Sequence, residues 1–407
     1  MTTFQTLLPQ PADGLLTLIG LFRDDPRNSK IDLGVGTYRN GAGVTPVMEA
    51  IKAAERILLE GQQTKAYLGP EGDQRFVDLL TPVVLGAAGA YDGRLVGVQT
   101  PGGGGALRLG GELIVAARPG AKVWLGTPTW PNHRPVLEAA GLTVAEYRYF
   151  DPATQTLCFD DMLAALSAAE PGDVVLLHGC CHNPTGAELS PAQWDTVALL
   201  LAERGLMPFV DLAYQGLGGG LDADAYGTRR VLAAVDEALV AYSCDKNFGL
   251  YRERTGALFA LARDSDAASL VYGNLLALAR VNWSMPPDHG AAAVRIVLES
   301  RELTRLWRTE LEGMCRRING VREALAATDG RLAFLSRQRG MFSQLPITPA
   351  AVTALRHDHG IYMAGSGRIN LAGLQAADAG IFVDALIAVG GLPARNRPCS
   401  VQYRALR

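Results

Sequence analysis

Ser243-Cys-Asp-Lys246-Asn-Phe-Gly-Leu-Tyr-Arg-Glu-Arg254 follows a short apolar run, Ala238 to Tyr242, whose composition predicts a buried strand. A lone lysine at the mouth of such a strand, with a hydroxyl before it and two arginines after it, has the layout of a Schiff-base lysine serving a phosphorylated carbonyl compound. Taken alone, a lysine is more often an ordinary surface residue. Its partners elsewhere in the chain favour the chemical reading.

Outward from this segment, helix-like stretches alternate with short apolar strands from about Val47 to Ala262. The strands are predicted at Lys122 to Leu125, Asp173 to Leu177, Pro208 to Val210 and Ala238 to Tyr242. That rhythm implies crossover units and a three-layer α/β/α arrangement around a mainly parallel sheet, buried on both faces because its strands are continuously apolar. A long helical pattern rich in Arg and Glu covers Asp288 to Ala327. After Gly330 the pattern shortens, with a strand at Gly340 to Leu345, a helix from Thr348, strands near Ile361 and Arg368, and a helix from Ala376. The expected division is a large cofactor-binding domain over 46–315 and a smaller α/β domain formed by 1–45 with 316–407.

Composition narrows the function. The chain has 407 residues, 48% of them hydrophobic, and a formal charge of −3 with the signs mixed along it. A sizeable core is available, and no basic stripe offers itself to nucleic acid. Met1 to Asp13 lacks the pattern of an export signal, and no apolar window is long enough to span a bilayer. Six cysteines form no regular framework, so the expected setting is a reducing one, the cytoplasm.

Three motifs fall at the carboxyl ends of predicted strands, where open α/β sheets bind ligands. They are Gly179-Cys-Cys-His182-Asn183-Pro184-Thr-Gly186, Asp211-Leu-Ala-Tyr214, and the segment carrying Lys246. A pyridine ring used as an electron sink needs a carboxylate to hold its nitrogen protonated, and Asp211 is placed for that task. Tyr214 and Asn183 suit hydrogen bonds to a phenolic oxygen. Pro101-Gly-Gly-Gly-Gly-Ala106 before the helical Leu107 to Ala117 has the form of a phosphate-binding helix start, although it matches neither dinucleotide nor nucleotide loop spacing. Ser243 and Arg254 would complete a phosphate cup. His178-Gly-Cys180-Cys181-His182 gathers ligand types, but adjacent cysteines do not suit one tetrahedral ion, so no metal is expected there.

These residues resemble the aspartate and aromatic aminotransferase branch of the fold type I pyridoxal phosphate enzymes. The resemblance rests on Leu33-Gly-Val-Gly-Thr-Tyr38, Thr64-Lys-Ala-Tyr67-Leu-Gly, Gln99-Thr-Pro-Gly, Thr129-Trp130-Pro-Asn-His133, His182-Asn183-Pro-Thr-Gly, Asp211-Leu-Ala-Tyr214-Gln-Gly, Lys246-Asn-Phe-Gly-Leu-Tyr, Arg280-Val-Asn-Trp-Ser and Ser366-Gly-Arg368-Ile-Asn. It implies that Lys246 binds pyridoxal 5'-phosphate covalently, that Asp211 pairs with the ring nitrogen with His133 behind it, and that Tyr214 and Asn183 contact the ring hydroxyl oxygen. Trp130 would lie on one ring face. The backbone of Gly103 and Gly104, with Ser243 and Arg254, would hold the phosphate, joined by Tyr67 from the second subunit of a homodimer. Arg368 would clamp the substrate α-carboxylate, Gly36, Asn183 and Trp130 would line the substrate site, and Arg280 of the neighbouring subunit would take a distal carboxylate. The Asn183-Pro184 bond is expected to be cis, as in relatives.

The chain departs from the family at three places. Gly102-Gly-Gly104 stands where many relatives carry Ser-Gly-Thr. Asp245 stands where a serine is common, and its carboxylate is expected to point away from the phosphate because two anions in contact are costly. Met285 replaces an asparagine near the distal arginine and makes the pocket friendlier to rings. The implied activity moves an amino group between an aromatic or dicarboxylic amino acid and 2-oxoglutarate. Aspartate aminotransferase is the close alternative. A lyase or decarboxylase on the same cofactor, or a non-catalytic ligand-binding relative, would belong to another class.

Overall fold

The computed structural model describes residues 3–9, 14–86, 91 and 93–392. The expectations for 1–2, 10–13 and 393–407 lie outside the described residues.

The centre is a seven-stranded sheet in the order Leu95–Pro101, Thr255–Leu261, Ala238–Ser243, Met207–Leu212, Val174–His178, Lys122–Thr127, Thr143–Arg148. The four strands predicted for it are found: three run one to three residues longer than expected, and the one expected at Asp173 to Leu177 is shifted by one residue to Val174–His178. Their continuous apolar character has the expected cause. Val174 and Leu176 enter the apolar layer on one face with Val123, Phe209 and Leu258, while Val175 and Leu177 enter the other with Val210, Val240 and Phe259.

All neighbours are parallel except Thr255–Leu261, which runs against both of its partners. This reversal matters for the site. The start of that strand lies at the edge where the others end, with Thr255 opposite Pro101 and Gly256 opposite Ser243. Arg254 is thereby delivered to the same rim as the residues after the parallel strands.

The glycine run is not a loop before a helix but the first turn of one, Gly102–Ala117. Gly102 has φ +69°, and a Cβ there would lie 2.6 Å from Arg254 Nη2. Only glycine allows both the backbone angle and the close approach. The helical pattern over 288–327 divides into Asp288–Glu299 and Arg301–Thr328, because Ser300 adopts extended angles and its side chain caps Leu303 N. The helix expected from Ala376 begins as a 3-10 turn and becomes α-helical at Ala379.

A separate apolar core joins Leu33 to residues of the later chain, including Leu325, Leu355, Ile369 and Phe382. Ile31–Asp32 pairs in parallel with Ile361–Tyr362, which brings the early chain against the tail. Among the described residues no helix is long and apolar enough to cross a membrane.

Arg322 ties the two regions together. Its guanidinium is 1% exposed and donates to the carbonyls of Leu335, Arg339, Gly340 and Phe342. Replacing it leaves several buried acceptors without donors. Arg322→Met is expected to lower the unfolding free energy by about 3 kcal/mol, read by urea denaturation, and Arg322→Lys, lacking the fork, should recover little of it.

Candidate functional site

Lys246 follows the strand Ala238–Ser243 and is held from both sides. Asn247 Nδ2 donates to Tyr242 Oη at 2.7 Å, while the Asn247 carbonyl accepts from Trp307 Nε1 at 2.8 Å. Phe248 stacks on Trp307 with ring centroids 4.3 Å apart. The lysine itself is partly buried, with Nζ 5.1 Å from the centroid of the Tyr214 ring. Burial pushes its amine below the usual lysine range, against the opposing pull of Asp245 and Asp211.

Asp211 ends the strand Met207–Leu212 and is 8% exposed. His133 Nε2 lies 2.9 Å from its Oδ2, and His133 Nδ1 lies 2.7 Å from Thr129 Oγ1. His133 also meets the indole of Trp130 edge-on and the ring of His178. Burial alone would raise the Asp211 carboxyl. The hydrogen bond from His133 and the nearby charges of His133, His178 and Lys246 outweigh it and hold the group below the ordinary carboxylate value. His178 is pushed down to about 3 by burial and by His133.

Tyr214 and Asn183 meet as expected, with Asn183 Nδ2 donating to Tyr214 Oη at 3.4 Å. Asn183-Pro184 is cis. Arg368 donates to the Gly34 carbonyl at 2.7 Å and lies 4.8 Å from the centroid of Phe342, whose ring also meets Tyr214 edge-on. A Cβ on Gly36 would sit 3.1 Å from that same ring. Phe342 and Asn370, which binds the carbonyls of Val35 and Thr37, escaped the sequence reading. Phe342 was signalled only by a short predicted strand, and Asn370 only as the last residue of the Ser366-Gly-Arg368-Ile-Asn motif, with no role assigned.

The parts converge on one rim of the sheet: an amine, an ionised acid, a phenol with a carboxamide, a helix start, and two arginines. The sequence belongs with this geometry. A family model described as aminotransferase class I and II matches residues 28–386. This chain belongs to that family.

Among its relatives, a tyrosine aminotransferase of Rhizobium meliloti is 54% identical over 92% of this chain and 97% of its own length. An aspartate aminotransferase of Escherichia coli is 41% identical, covering 95% of this chain and all of the other. The crystal structure of an aromatic-amino-acid aminotransferase from Burkholderia pseudomallei, covalently bound to pyridoxal phosphate, superposes with a TM-score of 0.93 at 39% identity, covering 96% of this chain and 100% of that one.

The residues of this aminotransferase fit pyridoxal phosphate. Asn183 Oδ1 and Arg368 Nε are buried without a protein partner, so each has bonding capacity left for a ligand. A Cβ on Gly104 would meet nothing within 4 Å, whereas one on Gly103 would press on Ser243. Space and backbone donors therefore coexist at the helix start.

Two sequence-derived residues lie apart from the cluster within one chain. Tyr67 is 94% exposed, and Arg280 is exposed at the end of the helix Ser265–Asn282. Met285 accepts from Leu68 N at 3.0 Å and so packs on the segment bearing Tyr67.

The expectation for Asp245 needs correction. Its carboxylate is not turned away from the anion cup but is bound by Arg254 Nη1, with Oδ2 3.5 Å from the Cβ position of Gly102. In the protein alone, the arginine is the strongest available donor to a buried acid, and that attraction decides the side chain's direction. Cys180, Cys181 and Asp224 also bring ligand atoms together, but Asp224 already accepts from the amides of Gly216, Gly218 and Gly219.

Because the folded-state value of Asp211 is depressed, its stabilising contribution is present above the unfolded value, about 3.9, and is lost as pH falls through the folded value. The unfolding free-energy difference between the wild type and Asp211→Asn should thus be largest near neutral pH and shrink toward pH 3 in urea titrations. A difference that grows on acidification would mean that Asp211 is not held ionised.

Proposed function

We propose that this aminotransferase exchanges amino groups between an aromatic amino acid such as phenylalanine or tyrosine, a dicarboxylic amino acid, and 2-oxoglutarate. The observation that carries the reading is the conjunction of Lys246 over the Tyr214 ring with the His133-buttressed Asp211 and an Arg368 whose charge meets no carboxylate among the described residues. Pyridoxal phosphate, when bound, supplies an aldehyde for an amine and a cationic ring that spreads the electron pair left on the substrate α-carbon.

The chain supplies the rest. Lys246 is the amine that would hold the cofactor, and its free Nζ would serve as the base that moves the substrate α-proton. A lowered amine pKa suits that task, since a larger fraction is free base at neutral pH. Asp211, oriented by His133, keeps a proton on the ring nitrogen. Tyr214 and Asn183 bond the phenolic oxygen, and Trp130 covers a ring face. The amides of Gly103 and Gly104, with Ser243 and Arg254, take the phosphate. Arg368 binds the α-carboxylate by its fork, beside Gly36 and Asn183.

We read the enzyme as a homodimer in which Tyr67 and Arg280 serve the neighbouring site; their exposure in one chain supports this. A two-domain division near 46 and 315 is supported by the separate core around Leu33 and Phe382. A cytoplasmic setting agrees with five free cysteines among the described residues. The aspartate reading stays in view because a distal arginine at Arg280 suits a second carboxylate.

Lys246→Ala is expected to bind the cofactor without its imine absorption band and to lose transamination; near-normal turnover in this variant would remove the mechanism. Between the donors, kcat/KM for phenylalanine should equal or exceed that for aspartate on the purified enzyme. A large preference for aspartate would refute the aromatic assignment.

A further inference from the structure

The cup formed by Gly103, Gly104, Ser243 and Arg254 contains one group that an anion receptor does not need. Asp245 is 5% exposed, its Oδ2 is bound to Arg254, and its Oδ1 is buried with no donor among the described residues. Its backbone N–H donates to Ser243 Oγ at 3.2 Å, so the carboxylate is fixed to the floor of the cup. The charged or titratable neighbours facing it are Arg254, Lys246, Tyr251 and Cys244. The helix Gly102–Ala117 presents only glycine backbone from its first turn.

A carboxylate has acceptor atoms only. A fully ionised phosphate ester also has acceptor atoms only, and placing the two together on one arginine would leave lone pairs opposed in a buried setting. One proton removes the conflict. A phosphate group whose second ionisation lies near pH 6 is able to keep that proton and donate it as a hydroxyl to the acid. A sulfate, which has no proton to give near neutral pH, lacks this option.

We propose that Asp245 makes the cup selective for a phosphate carrying one proton, accepting a hydrogen bond from the bound phosphate while sharing Arg254 with it. The cofactor is then taken up with one more proton than a cup without the acid would require. Affinity for the phosphate group rises as pH falls toward about 6 and levels off below it. No bond to phosphorus is made or broken, and the proton comes from solvent.

This rests on the reading that these residues hold the cofactor phosphate, and the test separates the two ideas. Apoenzyme is titrated with pyridoxamine 5'-phosphate, which forms no covalent link to Lys246, in competition with inorganic phosphate or sulfate at pH 7. In the wild type, phosphate should compete at least about tenfold better than sulfate, because a buried acceptor rejects an analogue lacking the donor. In Asp245→Ser and Asp245→Asn the two anions should compete about equally. Calorimetry in buffers of different ionisation heat should count about one proton fewer for those variants, the ring contributing alike in all three.

Equal competition by both anions in the wild type would overturn the proposal and leave the cup intact. Competition by neither anion would overturn the placement of the phosphate itself. The wild-type discrimination stands as a test even where a variant fails to fold.

Discussion

The site depends on keeping one carboxylate ionised where burial opposes it. Asp211 sits at the end of a strand inside a sheet packed on both faces, and nothing in bulk solvent compensates its charge. His133 does so through one hydrogen bond, and Thr129 fixes the far side of that imidazole. A proton-rich microenvironment at the ring nitrogen follows from this pair. In the reading proposed above, Tyr214, Asn183 and Lys246 act as cofactor contacts because the acid beside them is charged.

Much of the chemistry was legible because the sheet is made of crossover units. Once the apolar runs are assigned to parallel strands, the residues after them must share one edge, which brings Asn183, Asp211 and Lys246 together without further information. Arg254 was named as a candidate phosphate ligand from its type. The reason it reaches the cup, reversal of the strand Thr255–Leu261, was not written in any local pattern. The break at Ser300 was hidden for a similar reason. Serine inside a helical pattern is ambiguous until its side chain is seen to cap Leu303 N.

Asp245 shows where reasoning by analogy stops. Its neighbours in sequence suggested repulsion from an anion, and repulsion was assumed to turn the side chain outward. The three-dimensional arrangement instead supplies a cation at bonding distance and buries the carboxylate beside it. Phe342 and Asn370 were invisible for a simpler reason. Neither residue type announces a role, and both act by holding other groups, the one beneath the Arg368 guanidinium and the other under the Val35–Thr37 backbone.

The long helix Arg301–Thr328 reaches the reaction centre without contributing a side chain to it. Trp307 grips the backbone just beyond Lys246, and about four turns further along Arg322 grips the Phe342 carbonyl. The same guanidinium lies 2.9 Å from the Cβ position of Gly186, at the end of the turn bearing Asn183. This helix is therefore a common spine for the segments bearing Lys246, Phe342 and Asn183. Drift in its axis would shift all three in concert, so sequence changes far along its length are able to retune catalysis while every reactive group stays chemically unaltered.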